Sequence, residues 1–170
     1  KMTSGWQNSD LIIIAARPAM GKTAFVLSMA RNIAVNFRHP VALFSLEMSN
    51  VQLVNRLIVN VCEIPGEKIK SGQLAPYEWQ QLDYKLKDLI DAPLYVDDTP
   101  SLSVFELRTK ARRLVREHGV RVIIIDYLQL MNASGMSYGS RQEEVSTISR
   151  SLKGLAKELN IPIIALSQLN

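Results

Sequence analysis

A glycine, a lysine and a threonine stand together in the segment RPAMGKTAF (residues 17–25), directly after the apolar run LIIIAA. This is the second half of the phosphate-binding pattern G-x-x-x-x-G-K-[ST], which lies between a strand and a helix. In that pattern the glycine lets the backbone approach phosphate oxygens, the lysine reaches the β- and γ-phosphates, and the hydroxyl ligates Mg²⁺. Ala16 occupies the place of the first glycine, which weakens the match without breaking it, because alanine fits there if its φ stays negative. The segment predicts a site for ATP with Mg²⁺. The predicted nucleotide contacts are Arg17, Pro18, Ala19, Met20, Gly21, Lys22, Thr23 and Ala24, of which Thr23 is also a predicted Mg²⁺ ligand.

Polar residues follow the other apolar runs as well. Glu47, Asp126 and Gln168 each come at or just beyond the end of such a run. In an open parallel sheet, ligands bind beyond the carboxyl ends of the strands, so we expect these side chains at the same edge as the phosphate loop. Asp97 and Asp98 also follow an apolar run, but they precede Thr-Pro, and a turn or cap role explains them at least as well as a role in the site.

Each of the three polar residues fits a step of ATP hydrolysis. Asp126 follows VIII and is typical of a Walker B aspartate, which holds Mg²⁺ through water. Hydrolysis also needs a group that orients the attacking water. Tyr127 is not an acid, so Glu47 is the candidate for that role, the alternative being that it favours a helix N-terminus, and Gln168 is the candidate for sensing the γ-phosphate.

The elements that must position these residues alternate along the chain. Continuous apolar runs predict five buried strands, at 11–15, 41–45, 94–97, 120–125 and 161–166. Five helices are predicted between these strands. Two have simple bounds, from Thr23 to Val35 and from Arg141 to Leu159, and two begin at capping boxes, one at Ser49 and one at Ser103–Glu106 that ends at His118-Gly119. The fifth begins at Pro76 and carries the apolar residues Trp79, Leu82, Leu86 and Leu89. Strands that alternate with helices predict an α/β fold, a mostly parallel sheet with helices on both faces.

Composition narrows the class of protein. The chain has 170 residues, 47% of them hydrophobic and 21% charged, which is typical of one globular domain. The single cysteine, Cys62, excludes an internal disulfide and fits a cytoplasmic location. No apolar run is long enough to span a membrane, and we expect no membrane partner. The net charge of +4 permits a polyanionic partner, but the basic residues between Arg108 and Arg116 fit the solvated face of a helix better than a nucleic-acid site.

Four segments together resemble the replicative hexameric DNA helicases of the DnaB type: ARPAMGKTAF, FSLEMS, VIIIDYLQLM and SRQEEVSTISRSLKGLAKELNIPIIALSQLN. The resemblance extends over essentially all 170 residues, and FSLEMS and the last segment are much more specific than the phosphate loop. It implies a RecA-like P-loop ATPase core, with six copies in a ring around single-stranded DNA and ATP between neighbours. By the family's motifs, Lys22 and Thr23 would bind phosphate and Mg²⁺, Glu47 would polarise the attacking water, Asp126 would be the Walker B residue, and Gln168 would couple the γ-phosphate to the DNA-facing region.

The resemblance also implies the partners. It implies single-stranded DNA, further copies of the chain in a hexamer, primase and a helicase loader. The segment NASGMSYGS falls where the family has a loop that faces the central channel. The DNA-facing residues implied there are Ser134, Gly135, Tyr138 and Arg141. Relative to this family we expect a single ATPase domain truncated at both ends and lacking the arginine finger, so that it hydrolyses ATP slowly and does not unwind DNA alone.

Three alternatives remain open at the level of the sequence. A recombination or repair ATPase of the RecA type would share the fold. A small-molecule P-loop kinase would need an arginine-bearing lid, and no such insertion is seen between the last two strands. A nucleotide-dependent assembly module would bind ATP in order to oligomerise, without unwinding DNA.

Overall fold

A five-stranded sheet forms the centre of the fold in the computed structural model, which describes residues 7–16, 22–62, 66–132 and 140–168. All neighbouring strands are parallel, and their order is β1-β5-β4-β2-β3. The strands are Leu11–Ala16 (β1), Val41–Ser45 (β2), Leu94–Asp97 (β3), Val122–Asp126 (β4) and Ile163–Gln168 (β5). The predicted fold class is therefore confirmed.

Helices cover both faces of this sheet. The described α-helices are Lys22–Arg31 (α1), Asn50–Cys62 (α2), Gly66–Ser71 (α3), Pro76–Ile90 (α4), Val104–His118 (α5) and Arg141–Leu159 (α6). On one face, α1 and α2 pack on alternate strand residues that include Leu43, Ile124 and Ile164. On the other face, α5 and α6 pack on the strand residues that alternate with these, such as Ile123 and Ile163. Because both faces are covered, these strands are apolar at consecutive positions rather than at every second one.

The bounds of three strands differ from those predicted, and β1 and β4 each end one residue later than expected, at Ala16 and Asp126. Strand β4 begins at Val122 rather than at 120, because its pairing with β2 begins with Val122 and Val41. Val120 is buried, but it precedes that pairing. Strand β5 begins at Ile163, after Pro162, because proline has no N–H to donate to a neighbouring strand. It continues to Gln168 because β1 pairs with it as far as Ala16.

The predicted helix starts and ends largely agree with the structure. At the start of α2, the Ser49 N–H donates to Gln52 Oε1 at 3.0 Å and the Gln52 N–H donates to Ser49 Oγ at 3.3 Å, which is a reciprocal capping box. The predicted helix 23–35 is instead α1 followed by a π-helical turn, Asn32–Asn36. The short α3 and a 3₁₀ turn at Leu128–Leu130 were not predicted. None of the described helices combines the length and apolar composition that crossing a membrane requires.

Candidate nucleotide site

The register of the sheet aligns the predicted site residues at one edge. Ala16, the last residue of β1, is paired with Gln168 at the end of β5. Ser45, at the end of β2, is paired with Asp126 at the end of β4. All strands run in the same direction, so these four residues lie at the carboxyl edge, where open α/β sheets bind ligands. Residues that lie far apart in the chain are thus brought together.

Glu47 lies on a tight turn that follows β2. Ser45 is buried, and its hydroxyl donates to the Met48 carbonyl at 3.0 Å while accepting the Met48 N–H at 3.3 Å. The same hydroxyl therefore closes the turn around Leu46 and Glu47. Glu47 itself is exposed at this edge. Sequence analysis did not single out Ser45, although it lies within the distinctive FSLEMS segment.

Asp126 lies beside this turn on the central strand β4. Its side chain is only 1% exposed, and its backbone carbonyl accepts the Leu46 N–H at 2.8 Å. The peptide bond between Asp126 and Tyr127 is cis. The hydrogen bond from Leu46 continues the β2–β4 pairing one residue into the Glu47 turn. The backbone segments that carry Glu47, the predicted water-orienting carboxylate, and Asp126, the predicted Mg²⁺-binding carboxylate, are thus directly hydrogen-bonded to each other.

Gln168 is held by a residue that sequence analysis did not identify as functional. The Gln168 N–H donates to Gln129 Oε1 at 3.1 Å, and Gln129 Nε2 donates to the Gln168 carbonyl at 3.1 Å. Gln129 Nε2 also donates to Ser167 Oγ at 2.8 Å. Gln129 belongs to the 3₁₀ turn that comes after Asp126. The only sequence signal was its place in the segment VIIIDYLQLM.

Asp97 and Asp98 stabilise local structure at the same edge. Asp98 Oδ2 accepts the Asn50 N–H at 2.8 Å and so caps the first turn of α2. Asp97 accepts the Thr99 N–H at 3.0 Å and pairs with Lys110 of α5 at 2.7 Å. Partial burial opposes ionisation of Asp97, but the hydrogen bonds from Lys110 and Thr99 outweigh it and lower the pKa of this carboxyl. Both residues thus act as turn or cap residues, one of the two roles that the sequence left open for them.

The basic face of α5 is partly neutralised within the chain. Besides the Lys110 pair, Arg112 forms two hydrogen bonds of 2.7 Å to Glu158 on α6, and Arg113 lies 3.3 Å from Glu117. These contacts agree with the interpretation of the basic residues as the solvated face of a helix.

The phosphate-binding residues are described only in part. Arg17, Pro18, Ala19, Met20 and Gly21 lie outside the described residues. Lys22 and Thr23 form the start of α1, which follows β1 at the carboxyl edge, but their side chains are not described. Ala24 lies on the wall of a groove of about 490 Å³ between α1 and α2, which Met48, next to Glu47, also lines. The roles of these residues stay predictions.

Of the residues expected to face DNA, only Arg141 is described. Ser134, Gly135 and Tyr138 lie outside the described residues. Arg141 begins α6 and donates hydrogen bonds to the carbonyls of Gln129 and Met131, the latter at 3.1 Å, and it also pairs with Glu144. Its guanidinium therefore stabilises the 3₁₀ turn and the first turn of α6, while its side chain stays half-exposed. A contact of Arg141 with DNA stays a prediction.

Comparison with known proteins decides the family. The model of the DnaB-like helicase C-terminal domain matches residues 1–170. The chain belongs to this family. It is 52% identical over 170 residues to the replicative DNA helicase DnaB of Geobacillus stearothermophilus, a match that covers 100% of this chain and 37% of that protein. It is 48% identical to the replicative DNA helicase DnaC of Bacillus subtilis, again over 100% of this chain and 37% of the relative.

Solved structures of the DnaB-like family have the same fold. The ATPase domain of G40P matches with a TM-score of 0.89 at 37% identity, covering 98% of this chain and 59% of that one. The structure of a DnaB-like replicative helicase and its interactions with primase matches with a TM-score of 0.89, covering 98% of this chain and 40% of that one. The predicted RecA-like fold and the predicted resemblance to DnaB-type helicases are both confirmed. The chain spans little more than a third of the two curated relatives named above.

Membership of this DnaB-like family also bears on the alternatives. A recombination ATPase and a small-molecule kinase are both disfavoured by the 52% identity to a replicative helicase over the whole chain. An assembly module that binds nucleotide without using it would share the same family features, so only a measurement of turnover separates it from a motor.

Proposed function

We propose that this chain is the ATP-hydrolysing motor domain of a replicative DNA helicase. The observation that carries the proposal is the register of the sheet, which places Ser45 beside Asp126 and Ala16 beside Gln168 at the carboxyl edge. Family membership supplies the activity: two relatives that match over the whole chain are named replicative DNA helicases. ATP hydrolysis would drive movement along single-stranded DNA and the unwinding of the duplex.

The proposed roles of the residues follow from their positions. Lys22 neutralises phosphate charge at the start of α1, where helix N–H groups also point at anions. Glu47 accepts a hydrogen bond from the attacking water and directs it at the γ-phosphate. Gln168, a neutral donor and acceptor at the end of β5, contacts the γ-phosphate and changes partners when that phosphate is lost.

The residues at this edge fit Mg²⁺ bound together with ATP. The described residues contain no cluster of three or more His, Cys, Asp or Glu that would hold a metal ion by themselves. Mg²⁺ needs no such cluster, because it binds through one or two protein oxygens together with substrate phosphates and water. The Asp126 carboxylate and the Thr23 hydroxyl are oxygen donors of this kind, with Asp126 acting through water. Bound Mg²⁺ would offset the negative charge that develops on the phosphates.

The same proposal includes the partners. Single-stranded DNA would pass through a hexamer of the complete protein, and the segment 133–141 would contact its phosphates. The relative solved in a study of its interactions with primase makes primase a candidate partner here too. A helicase loader and a cytoplasmic location belong to the same proposal.

Nucleotide binding tests the site itself. A fluorescent ATP analogue with Mg²⁺ is titrated into the protein, into Lys22→Ala and into Lys87→Ala, which removes an exposed lysine from α4. We expect Lys22→Ala to lose binding and Lys87→Ala to keep it. Equal binding by all three proteins would show that the GKT segment is not the nucleotide site.

Turnover separates the motor from an assembly module. Glu47→Gln keeps the size of the side chain but removes its charge, so we expect ATP binding to persist while hydrolysis falls by about 100-fold or more. The measurement is DNA-stimulated ATPase and unwinding by the complete protein. Unchanged turnover in Glu47→Gln would overturn the role given to Glu47, and an absence of turnover in the unmodified protein would favour the assembly module.

A further inference from the structure

The pairing between β4 and β5 stops before β5 ends. Ile125 and Ala165 form the last pair between these two strands. Beyond Ala165, strand β5 continues for three residues, which pair with β1 as far as Ala16 and Gln168. The side of Ser167 and Gln168 that faces β4 therefore needs another hydrogen-bonding partner, since backbone groups at a strand end are rarely left unbonded.

The side-chain amide of Gln129 takes the place of the missing strand. It accepts the Gln168 N–H and donates to the Gln168 carbonyl, both at 3.1 Å, as the carbonyl and N–H groups of a neighbouring strand would. A backbone N–H can only donate and a carbonyl can only accept, so these two contacts fix which end of the amide is oxygen and which is nitrogen. A third bond, of 2.8 Å, goes from Nε2 to Ser167 Oγ. On the side that faces β4, the end of β5 is thus held by one side chain through three hydrogen bonds, while β1 pairs with its other side.

The turn that carries Gln129 is itself fixed at both ends. It follows Asp126 on the central strand, and its Leu130 N–H donates to the Tyr127 carbonyl at 3.1 Å. The carbonyls of Gln129 and Met131 accept hydrogen bonds from Arg141, the first residue of α6. Gln129 therefore connects three parts of the molecule: the strand of Asp126, the strand of Gln168 and the start of α6.

We propose that Gln129 is a positioning residue that sets the place of Gln168 relative to Asp126 during ATP hydrolysis. The inference rests on the proposed function, because it takes Gln168 to be the residue that responds to the γ-phosphate. Gln129 bonds the backbone of Gln168 and leaves the Gln168 side chain available for the nucleotide. It acts through Gln168, not on the phosphate directly.

This arrangement predicts a particular kinetic effect. Loss of the amide lets the end of β5 shift, so the Gln168 side chain no longer meets the γ-phosphate in the productive geometry. A misplacement of about 1 Å commonly costs on the order of 100-fold in rate. Gln129 bonds β5 on the side away from β1, and the pairing of Ala16 with Gln168 does not involve it, so ground-state binding of ATP by Lys22 and its loop is expected to change little.

The test compares Gln129→Met with Gln81→Met in the complete protein. Methionine has nearly the shape of glutamine, but it can neither donate nor accept these three hydrogen bonds. Gln81, the control position, is an exposed residue of α4. For Gln129→Met we expect kcat of the DNA-stimulated ATPase to fall by about 10- to 100-fold with KM for ATP changed by less than about threefold. Gln81→Met should match the unmodified protein. If Gln129→Met does not fold, Gln129→Glu tests the same contact, because it keeps the acceptor for the Gln168 N–H and replaces the donor to the Gln168 carbonyl by a negatively charged oxygen.

A double-mutant cycle with Gln168→Ala separates positioning from general damage. If Gln129 acts through Gln168, adding Gln129→Met to Gln168→Ala lowers kcat no further. Full additivity of the two losses, or an unchanged kcat in Gln129→Met alone while Gln168→Ala is impaired, would overturn the inference. If Gln168→Ala itself turns over normally, the role of Gln168 in the proposed function fails, and the inference about Gln129 is overturned together with it.

Discussion

At the scale of single residues, the Ser45 hydroxyl determines the conformation of the turn that carries Glu47. It is buried, and it bonds both the N–H and the carbonyl of Met48. A carboxylate that orients water must be held within a fraction of an ångström, so the backbone turn that carries it must be well defined. The hydrogen bonds of Ser45 supply that constraint from below the turn.

Ser45→Ala is therefore expected to impair catalysis more than stability. The free energy of unfolding should fall by about 1 kcal/mol for the lost hydrogen bonds, while kcat falls by about tenfold or more at nearly constant KM for ATP. Urea unfolding and steady-state ATPase measure the two effects. Ser71→Ala, at an exposed helix end, is the control for both. A loss of kcat no greater than that of this control would show that the turn keeps its shape without Ser45.

At the scale of elements, short polar contacts join the loops at the carboxyl edge to the helices. Asp98 caps α2, and Asp97 connects the end of β3 to Lys110 on α5. Asp98 lies in the loop after β3 and caps the helix that follows β2, so these two parts of the edge depend on one another, whereas Asp97 holds the helix that follows its own strand. Because the pKa of Asp97 is lowered in the folded protein, its ionisation favours folding.

The pH dependence of stability tests this contact. The contribution of Asp97 is present above the pKa of an unfolded aspartate, about 3.9, and is lost as the pH falls through the lower folded pKa. We expect the free energy of unfolding of the unmodified protein to exceed that of Asp97→Asn at pH 6, with the difference shrinking as the pH falls below the pKa of an unfolded aspartate. Urea unfolding at a series of pH values measures it. A difference between the two proteins that does not vary with pH would contradict the assignment.

At the scale of the whole molecule, the central strand β4 joins both helical layers. Ile123 faces the layer of α5 and α6, whereas Ile124 faces the layer of α1 and α2, and both are fully buried. Loss of packing on either face of β4 therefore destabilises the same sheet, and with it the carboxyl edge that carries the site residues.

Ile123→Ala and Ile124→Ala should consequently have similar effects. Each leaves a cavity in a close-packed layer, so we expect each to lower the free energy of unfolding by about 2–5 kcal/mol. Circular dichroism and tryptophan fluorescence should report one common transition in both variants. Val51→Ala, at an exposed position of α2, should change stability by less than about 0.5 kcal/mol. Separate transitions for the two layers would contradict a single cooperative core.

Helix boundaries and the surface of α4 show where prediction from sequence succeeded and where it failed. Helix α6 begins and ends where its apolar periodicity places it, because this signal acts over a few neighbouring residues, and the structure adds Ser140 as its N-cap. Trp79 was expected on the apolar face of α4 but is 46% exposed. Glu78 is buried in its stead, and it pairs with Lys68 of the unpredicted α3 at 3.3 Å. No local pattern could reveal a partner from a helix that was itself not predicted.

The sequence by itself determined the α/β class, the carboxyl-edge location of Glu47, Asp126 and Gln168, and the resemblance to DnaB-type helicases. These follow from local periodicity and from motifs of a few residues, which do not depend on contacts between distant parts of the chain. Only the tertiary structure decided which strand ends are neighbours, and hence that Ser45 pairs with Asp126 and that Gln129 holds Gln168. Strand order and register come from long-range packing of both faces of the sheet, and hydrogen bonds between residues 39 positions apart have no local signature.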